Sequence, residues 1–232
     1  MNWTPPLKPA ELTEERLITA ILDGTFPADS NLPAERELAV QLGVTRPTLR
    51  EALQRLGRDG WLEIRQGKPT RVRNYLQEGN LAVLAAIAQH QEKLPADFVS
   101  NLLYVRILMA PAYTRLAAER NPRPVLALLE TYTALPETPD AYCTFDMQLH
   151  HTLTVASGNP VFTLIWNGFQ TLYSVMGRIY FSHIEGRQSS HRFYHDLLQC
   201  FQQSDAEGAA RLAEQVMTNS LSIWTTIAAP NP

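Results

Sequence analysis

Apolar residues recur at helical spacing along most of the chain. In ELTEERLITAILDG, residues 11–24, Leu17, Ile18, Ile21 and Leu22 share one stripe, the three-to-four spacing of an amphipathic helix. LPAERELAVQLG, residues 32–43, repeats the pattern more briefly. Pro33 stands near its start, Leu38, Ala39 and Leu42 face inward, and Gly43 is placed to end it. A third helix is predicted from residue 44 onward, with Thr45 as N-cap and Pro47 in the first turn, where a missing N–H does no harm. Leu49, Ala52, Leu53 and Leu56 converge on its inner face, and Gly57 and Gly60 mark its far end. Two short helices joined by a Gly-Val-Thr turn make a helix-turn-helix, and the first helix completes a three-helix core. The period then changes. In GWLEIRQGKPTRVRNY, residues 60–75, short runs flank Gln66-Gly67-Lys68-Pro69 and predict two strands and a turn, a wing.

Beyond a short link at Gln77-Glu78-Gly79 the pattern is helical to the end, with Pro95, Pro122, Pro136 and Pro160 as punctuation. The expected fold is mainly α. A winged helix-turn-helix domain spans 1–75, a linker 76–79, and an all-helical bundle of six or seven helices 80–232.

The formal net charge of −3 hides an uneven distribution. Residues 46–73 carry eight basic and three acidic side chains, a balance of +5, whereas residues 76–232 carry nine basic and thirteen acidic, a balance of −4. A local cationic cluster is the footprint of a polyanion-binding module. A solvated charged face would explain a charge run alone, but Arg46, Arg50, Gln54 and Arg58 all fall opposite the leucine stripe. In a helix-turn-helix the second helix enters the DNA major groove N-terminus first, which puts Arg46, Thr48 and Arg50 at base edges and phosphates. Lys68, Arg71 and Arg73 of the wing would reach phosphates or the minor groove.

Helical bundles of this size often enclose a cavity. Polar candidates on its apolar faces are Arg106, Asp146, His150, Tyr173, Tyr180, His195, Ser220 and Trp224. Any of them alone reads equally as a core residue satisfied by its neighbours. Arg106 fits that reading least, because it interrupts LLYVRILMA and a buried guanidinium needs an anionic partner. A ligand phosphate or carboxylate would serve.

The run LPAERELAVQLGVTRPTLREALQRLGRDGWLEIRQGKPTRVRNY resembles the DNA-binding domain of the GntR superfamily of bacterial regulators. Further fragments, NLLYVR (101–106), ASGNPVFTLIWNG (156–168), LY (172–173), GRIYF (177–181) and FYH (193–195), are similar to the branch of that superfamily that governs fatty-acid metabolism. The resemblance implies a homodimeric transcription factor on double-stranded operator DNA, repressing or activating genes of fatty-acid degradation and synthesis. Long-chain acyl-CoA would release it, with no cofactor required. By the same resemblance Arg36, Thr45, Arg46, Thr48, Arg50 and Gly67 touch the operator, with Gln66 and Lys68 beside them; Gln66 replaces a histidine of that branch, and Pro47 a threonine. Arg106, Ser220 and Trp224 would meet the acyl-CoA, Tyr173 and Tyr180 would line its acyl tunnel, and Trp61, Lys68 and Tyr75 would sit near its nucleotide end. Met217 stands where the branch has a glycine.

The wider superfamily implies an alternative, a regulator that senses a small carboxylate through a bound divalent metal. Asp146 and His150, four residues apart in DMQLH, share a helix face, and His195 falls on a later helix. Three such ligands could hold zinc or nickel, although Met217 takes the place of the fourth.

Other classes are disfavoured. No apolar run approaches the roughly 18 residues needed to span a bilayer, and MNWTPPLKPAEL lacks the design of a signal peptide, so a cytoplasmic protein with no membrane partner is expected. The two cysteines, Cys143 and Cys200, suggest reduced thiols rather than a disulfide framework. No nucleophile motif, glycine-rich phosphate loop or paired-carboxylate spacing is present, and an enzyme is not expected.

Overall fold

A computed structural model of the chain describes residues 8–89 and 97–228. Pro95, expected to punctuate the helices, and the first seven residues lie outside the described residues. The chain divides into two compact units, Met1–Leu94 and Pro95–Pro232.

The first unit opens with α1 (Pro9–Leu22), α2 (Glu35–Leu42) and α3 (Arg46–Asp59). Both α1 and α2 pack on α3. The core between them holds Leu17, Ile18 and Ile21 of α1, Leu38 and Ala39 of α2, and Leu49, Ala52, Leu53 and Leu56 of α3, all buried as their spacing requires. Local chemistry sets the ends of α3. The Thr45 hydroxyl accepts the Thr48 N–H at 3.3 Å, Pro47 sits in the first turn, and Gly60 closes the helix in the left-handed region at φ +96°.

Two short strands follow, β1 (Leu62–Glu63) and β2 (Arg71–Val72), paired antiparallel with Leu62 opposite Val72 and Glu63 opposite Arg71. The far edge of β2 is also occupied. Asn31 bridges to Arg71, Val72 donates its N–H to Ser30 O at 2.8 Å, and Leu32 donates to Thr70 O at 2.8 Å. This third segment carries no strand signal, since a loop read as turn residues joins the sheet only once the helices have placed it there.

After β2 comes a single helical turn, α4 (Tyr75–Glu78), where the sequence pattern suggested a link, and then α5 (Leu81–Gln89), which groups with the first unit. The second unit is helical throughout: α6 (Phe98–Arg120), α7 (Arg123–Leu129), a 3-10 turn (Tyr132–Ala134), α8 (Pro139–Ala156), α9 (Pro160–Ser182), α10 (Ile184–Gln202) and α11 (Ala206–Ala228). Its main pairings are α6 with α11 and α8 with α9, and α10 packs against α11. Small residues allow the close approaches: Ala110 and Ala117 of α6 and Ala209 and Ala213 of α11 are fully buried. None of the described helices is long and apolar enough to cross a membrane.

Candidate functional site

In the first unit, packing the leucine face of α3 inward leaves the other face to solvent. Arg46 and Arg50 are exposed there, as is Arg36 on α2. Thr48 is half-buried, its hydroxyl 2.8 Å from that of Thr45, so both threonines are held at the start of α3. Gln66, Gly67 and Lys68 form the exposed tip of the wing, closed by a bond from the Lys68 N–H to Arg65 O at 3.1 Å. Among the described residues Arg36, Arg46 and Lys68 form no ion pair, whereas Arg50 Nε donates to Glu35 Oε2 at 2.7 Å.

Two wing arginines depart from expectation. Arg71 turns inward to the sheet and binds three carboxylates, Asp29 at 2.5 Å, Glu63 at 2.9 Å and Glu78 at 2.8 Å. Arg73 donates through Nε to Leu62 O at 3.1 Å. Arg71 is therefore taken up by carboxylates and not free for phosphate, whereas Arg73 is tied to the sheet through Nε alone. The Arg71 guanidinium, with Arg65 beside it, holds the Glu63 carboxyl below its usual range. Trp61 is likewise a core side chain, 1% exposed, with its ring centroid 4.9 Å from that of half-buried Tyr75. So packed, it has almost no surface to offer a ligand.

In the second unit Asp146 and His150 sit on the buried face of α8, one turn apart, as the spacing predicts. Their partners come from three other helices. Asp146 accepts hydroxyl hydrogen bonds from Tyr173 of α9 through Oδ2 and from Tyr194 of α10 through Oδ1, the latter at 2.7 Å. Arg106 of α6 places Nη2 4.0 Å from Asp146 Oδ2, and its guanidinium lies 4.7 Å from the Tyr173 ring centroid and 5.7 Å from that of Trp166. His150 Nδ1 is 2.8 Å from the Tyr113 hydroxyl, and burial pushes its pKa down to about 3, so the imidazole is neutral. Burial also drives Tyr113, Tyr173 and Tyr194 upward, which keeps all three phenols protonated.

The metal trio is not assembled. Among the described residues no group of three His, Cys, Asp or Glu side chains is placed to hold an ion. His195 follows Tyr194 on α10 and so points about 100° away from the buried stripe. It is exposed, with Nδ1 2.9 Å from the Tyr132 hydroxyl and Nε2 2.9 Å from Gln199 Nε2. Both Asp146 oxygens and His150 Nδ1 are already engaged by tyrosines. The donor set does not fit zinc or nickel, and Tyr194, noted in the sequence only within the FYH fragment, takes the place beside Asp146 that His195 was expected to fill.

Beside this network lies a narrow cavity. Arg106, Asp146, Tyr173, Tyr180, Ser220 and Trp224 all line it. Tyr180 and Ser220 meet at 3.2 Å, and Ser220 also donates to Val216 O at 2.8 Å. Most of the remaining wall is apolar, including Val99, Leu103, Met176, Phe181, Phe193 and Met217. The enclosed space is small, about 40 Å³. Arg106 is the unfinished element of this wall: its Nε and Nη2 are buried with no hydrogen-bond partner, as is His150 Nε2.

A winged helix-turn-helix with an exposed cationic face, followed by a helical unit holding a largely apolar cavity, is the architecture of a DNA-binding transcription regulator. Residues 9–72 match the model of the bacterial regulatory proteins of the gntR family, and residues 73–230 that of the FadR C-terminal domain. The chain belongs to the GntR family and is a FadR-like regulator of fatty-acid metabolism, not an enzyme. It is 42% identical over 219 residues to the fatty acid metabolism regulator protein of Shewanella pealeana, covering 94% of this chain and 92% of that one. It is 46% identical over 186 residues to the protein of that name from Shewanella frigidimarina, covering 80% and 78%. Among solved structures, Lar, described as controlling the agr system of Listeria monocytogenes, superposes with a TM-score of 0.67 at 16% identity, covering 97% of this chain and 99% of Lar; this likeness concerns the fold alone.

Proposed function

We propose that this protein binds two-fold operators as a homodimer in the cytoplasm and leaves them when a long-chain acyl-CoA enters the α6–α11 cavity. The observation that carries the reading is the unfinished Arg106: a buried cation lining an apolar cavity, with two N–H groups lacking acceptors. Leaving such donors unpaired costs about 1–3 kcal/mol, so a ligand that supplies an acceptor there removes that penalty. Ser220, Tyr180, Tyr173 and Trp224 complete the contact surface, and Met176 and Met217, unbranched and adaptable, can turn aside to admit an acyl chain.

On the DNA side, Arg46, Thr48 and Arg50 enter the major groove, Thr45 and Arg36 meet the backbone, and Gln66, Gly67 and Lys68 follow the adjacent minor groove. Twin recognition helices of a dimer would lie one DNA turn, about 34 Å, apart. A ligand that favours one arrangement of the two units shifts the population away from that spacing. The test uses a duplex selected by the protein from a random pool. Oleoyl-CoA should bind by calorimetry and release the duplex in a gel-shift titration, and the reading fails if it does neither.

A further inference from the structure

We infer that Arg71 is a positioning residue for operator binding: its guanidinium draws carboxylates from three separate segments onto the base of the wing and so fixes where the tip, Gln66 to Lys68, meets the DNA. The inference rests on the reading of the wing as a minor-groove contact and names the residue that holds the wing in place.

The tip has no core of its own to place it. Residues 65–69 are all exposed, and a side chain added at Gly67 would meet nothing within 4 Å. Its base is a ladder of two residue pairs. Leu62 opposite Val72 is the buried pair, and Glu63 opposite Arg71 is the last before the tip. A ladder that short is marginal by itself, so the direction of the tip is decided by what grips the outer pair.

Arg71 supplies the grip. Its Nε donates to Glu63 Oε2 at 2.9 Å across the ladder, Nη1 to Asp29 Oδ1 at 2.5 Å in the loop between α1 and α2, and Nη2 to Glu78 Oε2 at 2.8 Å on α4. Each nitrogen takes a different carboxylate, which a planar guanidinium allows and a single ammonium does not. Glu78 also accepts the Asn74 N–H at 3.2 Å, so the chain leaving β2 is fastened at the same point. The Arg71 hydrogen bond holds the Glu78 carboxyl below its usual range, which keeps it ionised. Asp29 gives independent support. Its φ of +66° lies in the left-handed region, where glycine is freer than aspartate, and its carboxylate goes to Arg71. A residue that served only the turn would need no such side chain. With Arg71 28% and Asp29 64% exposed, the cluster adds modestly to overall stability, and its effect falls on the orientation of the wing.

The experiment footprints the full chain on the selected duplex, with dimethyl sulfate reporting guanine N7 in the major groove and hydroxyl radicals reporting the minor groove. Arg71→Lys keeps the charge and loses the three-way grip. It should retain the major-groove protection and lose most of the minor-groove protection, whereas an Arg71 that only stabilised the fold would weaken both together. Titration against salt adds a second readout. Lys68→Ala should lower the slope of log Kd against log salt by about one in the wild type, and by less than about half of that beside Arg71→Lys. Asp29→Gly relieves the left-handed backbone and leaves Arg71 two carboxylates; it should move both readouts the same way, and it decides the matter should Arg71→Lys fail to fold by circular dichroism. Equal losses in the two grooves, full minor-groove protection by a folded variant, or an undiminished Lys68 contribution beside Arg71→Lys overturns the inference. Wild-type protein that gives no minor-groove protection, with Lys68→Ala silent, overturns the wing reading itself and the inference with it.

Discussion

On the proposed reading of Arg50 as an operator contact, Glu35 competes with DNA for it, and removing Glu35 should strengthen operator binding. The two side chains meet at 2.7 Å across the turn between α2 and α3, with Arg50 59% and Glu35 37% exposed. An ion pair that open to solvent is worth about 0.2–1 kcal/mol, and Arg50 must give it up before it can grip a base or a phosphate. Glu35→Gln leaves the guanidinium free and takes a negative charge away from the approaching backbone. The expected gain is about 0.4–1 kcal/mol, or about twofold to fivefold in Kd. Arg50→Ala should cost about 1–3 kcal/mol in the wild type, and more when Glu35 has already been replaced. In the Arg50→Ala background Glu35→Gln should change Kd by less than about twofold, because no pair remains to break.

Fluorescence anisotropy with a labelled duplex at about 0.1 M salt measures all four corners of this cycle; at much higher salt the gain should fade as the pair is screened. A thermal melt accompanies it, since Glu35 also favours the N-terminus of α2 by a few tenths of a kcal/mol. Unchanged or weaker binding by a folded Glu35→Gln protein would refute the competition. So would an equal gain in the presence and absence of Arg50, which would reduce the effect to overall charge.

Two stability predictions concern the scaffold. Gly60→Ala should destabilise the first unit by about 2–3 kcal/mol in urea unfolding, because φ is +96° and the new Cβ would lie 3.1 Å from Gly79 Cα and 3.2 Å from Asn80 N. Gly43→Ala, at φ +68° with open space around it, should cost only the backbone strain of about 1–2 kcal/mol, and equal costs at both sites would contradict the close-approach argument. Acid should weaken the second unit through His150: its folded pKa, about 3, lies below the unfolded value of 6.5, so the unfolded chain takes up a proton that the folded one refuses. Stability from this group is fully present above pH 6.5 and declines toward pH 3, by on the order of 3 kcal/mol between pH 6.5 and pH 4. Urea titrations across that range check it, and a folded His150→Gln protein with the same acid slope would remove His150 as the cause.

The legibility of these features in the sequence follows their range. The reading helix was open to inspection because everything that makes it is local: Thr45 caps it, Pro47 starts it, Gly60 ends it, and four apolar side chains commit one face to the core. The cavity residues Arg106, Tyr173, Tyr180, Ser220 and Trp224 were legible individually as polar or aromatic positions on apolar faces, and the structure brings all five to one wall. Their partners were not. Nothing in the spacing on α8 indicates that Asp146 is bonded by Tyr173 and Tyr194, which are 27 and 48 residues away. His195 was expected near Asp146 and Tyr194 takes that place, because a motif records residue types while a helix records angles.

By itself the sequence determined the elements, their inward faces and the sign of charge left outside, since caps, glycines and the 3.6-residue period act within a few residues of the chain. Only the tertiary structure decided which charges remain available. Arg71 is drawn to three carboxylates brought together by the sheet and α4, Arg50 is shared with Glu35, and Arg106 receives Asp146 at a distance that cancels its charge without meeting its hydrogen-bonding needs. Electrostatic pairing depends on separations of a few ångströms between segments far apart in the chain, and those separations exist only after the helices have packed.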